Sequence, residues 1–84
     1  MVTVLFFAAL RESLGISREL VPIAAPNTTV AMLVDSLRQR DGAWSQAFAP
    51  GKSWRVAVNQ RMASLATPLK AGDEVAFFPP VTGG

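Results

Sequence analysis

The stretch APNTTVAMLVDSLRQRDG, residues 25–42, decides how the rest of this 84-residue chain must fold. Val30, Leu33, Val34 and Leu37 fall at i, i+3, i+4 and i+7. That spacing puts four apolar side chains on one face of a helix. Thr29 stands just before the stripe, where a hydroxyl can cap a free backbone N–H. Arg38 and Arg40 fall in the expected last turn, where cations suit the helix dipole. Gly42 is the expected stop. A single apolar stripe needs one broad surface to cover it, and the flanking segments read as strands that supply it.

Toward the N-terminus, residues 1–8 (MVTVLFFA) are rich in Val and Phe and suit a buried or half-buried strand. Residues 9–14 predict a short helical turn closed by Gly15, a good residue just past a helix end. Residues 18–23 (RELVPI) read as a second strand. Pro22 has no N–H for a ladder, so this strand lies at an edge or is bulged there. Its closeness to the first strand suggests a hairpin-like pair.

Toward the C-terminus, residues 43–49 (AWSQAFA) predict another short helix, with Trp44 and Phe48 directed at the core. Residues 49–53 (APGKS) make a turn. A phosphate loop needs GxxxxGK[ST] between a strand and a helix; here the first Gly is missing and a strand pattern follows. Residues 54–59 (WRVAVN) alternate strictly and read as a strand. Asn59-Gln60 turns the chain into a short segment at 61–63. A turn opened by Pro68 and closed by Gly72-Asp73 leads to the last strand, residues 74–78 (EVAFF).

The resulting order is β-β-α-(α)-β-(β)-β around one amphipathic helix. It predicts an α+β roll of the ubiquitin-like, β-grasp type, with a mixed sheet of about four or five strands and the main helix across one face. The first and last strands are the most apolar and are expected to pair at the centre, in parallel, through a right-handed crossover. Strand alternation then assigns faces. Trp54, Val56 and Val58, Val75 and Phe77, and Val2, Val4 and Phe6 face the helix. Leu5, Phe7, Ala57, Ala76 and Phe78 face away, and an uncovered aromatic patch marks a partner surface.

Composition narrows the chemistry. The chain has no Cys and no His. Disulfides, thiolate catalysis and Cys metal sites are excluded, and the usual general base and commonest metal ligand are missing. Asp73 and Glu74 are neighbours that point to opposite faces of a strand, so they do not form an acid–base pair. No metal site, no bound cofactor and no self-contained catalytic site are expected. Eight basic residues against six acidic ones give a net charge of +2. The basic residues are scattered, which disfavours nucleic acid as a partner. No apolar run reaches the roughly 18 residues of a membrane span, and residues 1–13 lack the pattern of a signal peptide. No membrane partner and a cytoplasmic location follow as expectations.

The final residues, FFPPVTGG, differ from an ordinary mixed polar end. The chain divides into a domain at 1–78 and an extended tail at 79–84. Pro79 and Pro80 cannot extend a ladder and favour a stiff exit. Val81 and Thr82 prefer extended backbone. Gly83 and Gly84 have no Cβ and can enter a channel too narrow for side chains. Six extended residues reach about 20 Å, far enough to enter another protein's active site.

With VLFFAALRESLG at 4–15, VNQ at 58–60 and GDEVAFFPPVTGG at 72–84, the sequence resembles the molybdopterin synthase small-subunit family of ubiquitin-like sulfur carriers. The C-terminal block carries the most specific part of the likeness. The resemblance implies that the Gly84 carboxylate is adenylated by a ubiquitin-activating-like adenylyltransferase that uses ATP. Sulfur from a donor enzyme would replace the adenylate and leave a thiocarboxylate. The tail, from Pro79, Pro80, Val81 and Thr82 to Gly83, would insert into the large catalytic subunit and give its sulfur to cyclic pyranopterin monophosphate. A heterotetramer with two small subunits is the implied assembly. Phe7, Arg11, Met62 and Phe78 match positions that contact the partners, with Met62 standing where Leu is more frequent. Three other readings stay open: a sulfur carrier for another pathway such as thiamine, a ubiquitin-like modifier of lysines, and an RNA-binding β-grasp module.

Overall fold

The computed structural model describes residues 1–23 and 27–80. Its elements run β1 (Val2–Phe6), α1 (Ala8–Leu14), β2 (Arg18–Val21), α2 (Val30–Arg38), α3 (Ala43–Ala47), β3 (Arg55–Val58), β4 (Arg61–Met62) and β5 (Glu74–Phe78). The five strands form one mixed sheet in the order β2-β1-β5-β3-β4. β1 pairs with β5 in parallel, Val4 opposite Val75 and Phe6 opposite Phe77. The other pairings are antiparallel. β2 lies at an edge, but it ends at Val21, so Pro22 follows the strand and does not sit within it as the reading over 18–23 expected. This is the α+β, β-grasp arrangement expected from the sequence.

The α2 stripe meets the sheet as its spacing predicts. Val30, Leu33, Val34 and Leu37 are buried, together with Val2, Val4 and Phe6 of β1, Val56 of β3, and Val75 and Phe77 of β5. Thr29 caps α2 by accepting a hydrogen bond from the Met32 N–H. The first two N–H groups of the helix are met by the loop between β4 and β5: Val30 and Ala31 donate to the carbonyls of Thr67 and Leu65.

An aromatic cluster closes the end of the core where β5 finishes. Phe48 meets four of its rings, and Phe77 meets three, with centroids 5.1 Å from Phe48, 5.3 Å from Trp54 and 6.2 Å from Phe6. Phe48 is buried and Trp44 half-buried against the core, so α3 serves the packing role read for both.

The structure corrects the end of α2. Arg40 lies beyond the helix, which stops at Arg38, and Gly42 caps the start of α3. The Gln39 N–H still donates to Asp35, but the Arg40 N–H reaches only three residues back, to Leu37. This tightened turn swings Arg40 off the helix axis. Its guanidinium then donates two hydrogen bonds to Glu19 of β2, at 2.9 and 2.5 Å, and lies 4.5 Å from the centre of the Trp44 ring. A bidentate ion pair and an aromatic face together outweigh one more turn of helix. Gly42 is used for its φ of 70° and ψ of −129°, which an L side chain resists. A second correction concerns Phe7. It follows β1 rather than belonging to it, and it starts α1 as the N-cap residue.

Candidate docking face and tail exit

The helices pack on the side of Val4, Phe6, Val56, Val75 and Phe77, so the opposite face of the sheet is organised by strand register alone. Directly paired residues share a face. One row across all five strands is therefore Arg18, Leu5, Ala76, Ala57 and Met62. The next row toward the end of β5 pairs Arg55 with Phe78. In the other direction Leu20, Thr3 and Glu74 line up. Two alanines at the centre keep the surface low, and Leu5 and Met62 flank them. Met62 and Leu20 are 67% and 57% exposed.

Phe7 and Phe78 both lie at the rim of this face. The Phe7 N–H donates to the Phe77 carbonyl at 3.1 Å, which fixes Phe7 beside the end of β5. Ala8 follows with a φ of 52°, a left-handed backbone in a residue that has a Cβ. Such a conformation costs about 1–2 kcal/mol, and it turns the chain from β1 into α1 at Phe7. Phe7 is 44% exposed. Arg11 lies one helical turn later and is exposed, its N–H directed at the Phe7 carbonyl. Phe7, Arg11 and Phe78 are thus gathered at the point where the chain leaves the sheet. Met62 is separate from them, at the far end of the central row. Pro79 is exposed and Pro80 half-buried; Val81, Thr82, Gly83 and Gly84 lie outside the described residues.

The electrostatics divide along the strands. Arg18 and Arg55 border the apolar row, and Arg11 stands at the tail exit. Glu74 is the one carboxylate among the paired residues of this face. An apolar strip with cations at its margin is complementary to an apolar surface edged by acids. At the opposite end of β5, Asp73 is 5% exposed. It accepts hydrogen bonds from the Asn59 amide at 3.0 Å and the Lys70 N–H at 2.9 Å. The Asn59 amide oxygen accepts in turn from the Glu74 N–H. The Asn59 hydrogen bond, then that of Lys70, holds the Asp73 carboxyl below its usual range against the opposing effect of burial. This clasp gives VNQ and GDEV a structural role: it ties the β3–β4 turn to the start of β5.

Among the described residues, no group of three or more His, Cys, Asp or Glu could hold a metal ion. Asp35 and Glu19 are engaged by Arg38 and Arg40. No described helix is long and apolar enough to cross a membrane. Sequence reasoning had missed Leu20. Its signal was available: Val21 is buried, so alternation puts Leu20 on the outer face and Glu19 on the inner one, toward Arg40.

A family model, the ThiS family, matches residues 4–84. The chain is 45% identical to the molybdopterin synthase sulfur carrier subunit of Escherichia coli (strain K12) over 84 residues, covering 100% of both. It superposes on the small archaeal modifier protein 1 of Haloferax volcanii with a TM-score of 0.79 and 32% identity, over 95% of this chain and 97% of that one. It also matches a chain in the protein–protein complex of subunits 1 and 2 of the molybdopterin-converting factor of Helicobacter pylori 26695. There the TM-score is 0.64 at 30% identity, over 99% and 97% of the two chains.

Proposed function

The chain belongs to the ThiS family, and we propose that it is the sulfur carrier subunit of molybdopterin synthase. The observation that carries this reading is the full-length identity to the Escherichia coli carrier. The apolar face that converges on the tail exit at Phe78 supports it. The likeness to a two-subunit complex supports a large catalytic subunit as the occupant of that face.

In this reading the domain is a handle and the tail is the reagent. A carboxylate is a poor acyl donor because it has no leaving group. Transfer of AMP from ATP to the Gly84 carboxylate supplies one and releases pyrophosphate. A sulfur nucleophile then attacks the acyl carbon and expels AMP, leaving a terminal thiocarboxylate. This gives a reactive sulfur to a chain with no Cys. The activating enzyme, the sulfur donor and the large subunit contribute the remaining chemistry. Phe7, Arg11, Met62 and Phe78 serve docking, and residues 79–83 thread the tail. Once inside the large subunit, the thiocarboxylate sulfur passes to cyclic pyranopterin monophosphate.

Intact mass spectrometry tests the reading. After incubation with the activating enzyme, ATP and a sulfur donor, the chain should gain the mass of one oxygen-to-sulfur exchange, located at Gly84. No gain with a competent enzyme present would sink it. The likeness to a small archaeal modifier protein favours a second reading, attachment of Gly84 to lysines of other proteins. Isopeptide conjugates without sulfur transfer would establish that alternative.

A further inference from the structure

On the side of the tail exit away from the docking face, a groove of about 260 Å3 lies between α1, α3 and the segment leading into β3. Leu10, Ala47 and Trp54 give it apolar walls. Ser13 and Lys52 stand at its margin, and Pro79 forms its end at the base of the tail. The volume is below the roughly 300–1,000 Å3 of sites that enclose small-molecule ligands. It suits a single protein side chain better than a metabolite.

Two further observations define the occupant. Lys52 is exposed, and among the described residues it has no ion-pair partner. Among the described residues, no carboxylate lines the groove. A free cation beside an apolar hollow is complementary to an apolar side chain that has an acid next to it. Pro79 makes the groove continuous with the path of the tail. A protein that encloses the tail on all sides must bring its own surface over α1 and α3 as well as over the sheet.

We infer that this groove is a second docking contact for the subunit that accepts the tail: it receives one apolar side chain of that subunit, while Lys52 pairs with an adjacent carboxylate. The inference rests on the carrier reading above. Recognition is then two-sided. Phe7 and Phe78 hold the partner on the sheet side of the exit and the α1–α3 groove holds it on the helix side, so the direction of the tail is fixed before its tip reaches the reacting centre.

Isothermal titration of the full chain against the purified large synthase subunit from the same organism tests it. Ala9, an exposed residue at the groove, is changed in Ala9→Phe to fill the hollow. Lys52→Ala removes the cation, and Lys70→Ala removes an equal charge from a site outside the groove. Phe78→Ala reports on the sheet side. Circular dichroism melts check that each variant folds. Ala9→Phe should weaken binding by about tenfold or more, and Lys52→Ala by about three- to tenfold, the latter effect shrinking as salt is raised. Lys70→Ala should bind as wild type. If folded Ala9→Phe and Lys52→Ala both bind within about twofold of wild type while Phe78→Ala is weakened, the groove inference is overturned and the carrier reading stands. If the wild-type chain does not bind the large subunit at all, the carrier reading fails and the inference falls with it.

Discussion

Phe77 and Phe78 are the same side chain at consecutive positions, and the pleat sends them to opposite faces of the sheet. Phe77 is fully buried in the aromatic cluster, while Phe78 stays half-exposed opposite Arg55 at the tail exit. The inner face is matched to fixed neighbours, with Phe6, Phe48 and Trp54 meeting Phe77 edge-on or stacked. The outer face is built from low alanines, a flanking Leu and Met, and cations at the margin, and among the described residues no helix packs on it. One residue of register separates a side chain that holds the fold from one available to a partner.

The largest effects should test that separation directly. Phe77→Ala removes a fully buried ring that meets three others and should cost about 3–5 kcal/mol, a large share of the stability of so small a domain. Chemical denaturation would show a midpoint near zero denaturant or no folded baseline. Phe78→Ala removes the same atoms from a half-exposed site and should lower stability by no more than about 1 kcal/mol. It should still weaken binding to the large synthase subunit by about tenfold or more. Equal losses of stability in the two variants would break the comparison.

A smaller effect sharpens the contrast along the strands instead of across them. The Asn59–Asp73 clasp lies at the end of β5 opposite the tail exit. The Asp73 carboxyl is held below its ordinary value in the folded state. A depressed folded-state value contributes stability above the unfolded pKa of about 3.9. That contribution is lost as pH falls through the folded value. Asp73→Asn leaves the acceptors and donors of the clasp mismatched and should cost about 1–3 kcal/mol at pH 7. The gap from wild type should narrow in urea titrations at pH 3. Affinity for the large subunit, measured at neutral pH on the folded variant, should not change. A gap that is the same at both pH values would show that the charge of Asp73 contributes nothing.

Much of this division was legible in the sequence because it depends on periodicity. The α2 stripe, the alternation in β3 and β5 and the apolar character of β1 specify helix, strands and faces from nearest-neighbour geometry. Leu5, Ala57, Ala76 and Phe78 follow from parity alone. The features that escaped depend on distant pairs. Arg40 leaves α2 because Glu19, 21 positions earlier, and the Trp44 ring wait for it. The groove exists because α1 and α3, far apart in the chain, meet beside Pro79. Neither encounter has a period or a local motif. Phe7 shows an intermediate case: its exposure was legible from strand parity, but the strand ends before it, and the strained Ala8 holds it at the rim.

The smallest expected effect concerns the turn that supports the far end of the outer row. Asn59 and Gln60 both have positive φ, at 52° and 67°, in the two-residue turn between β3 and β4. Asn tolerates that region through its short side chain, and the clasp to Asp73 holds it there. Gln has neither advantage, and turns of this kind favour Gly at the second position. Gln60→Gly should relieve the strain and raise stability by about 0.4–1 kcal/mol, net of the added freedom of the unfolded chain. A thermal melt would register this as a rise of a few degrees, about 2–8 °C for a domain of this size. Because Met62 follows the turn by two residues, a firmer hairpin should also hold the Met62 end of the row in place, leaving partner affinity equal or slightly higher. If stability rises but affinity falls, the outer face uses mobility at Met62, and its contrast with the rigid inner face would extend from packing to dynamics.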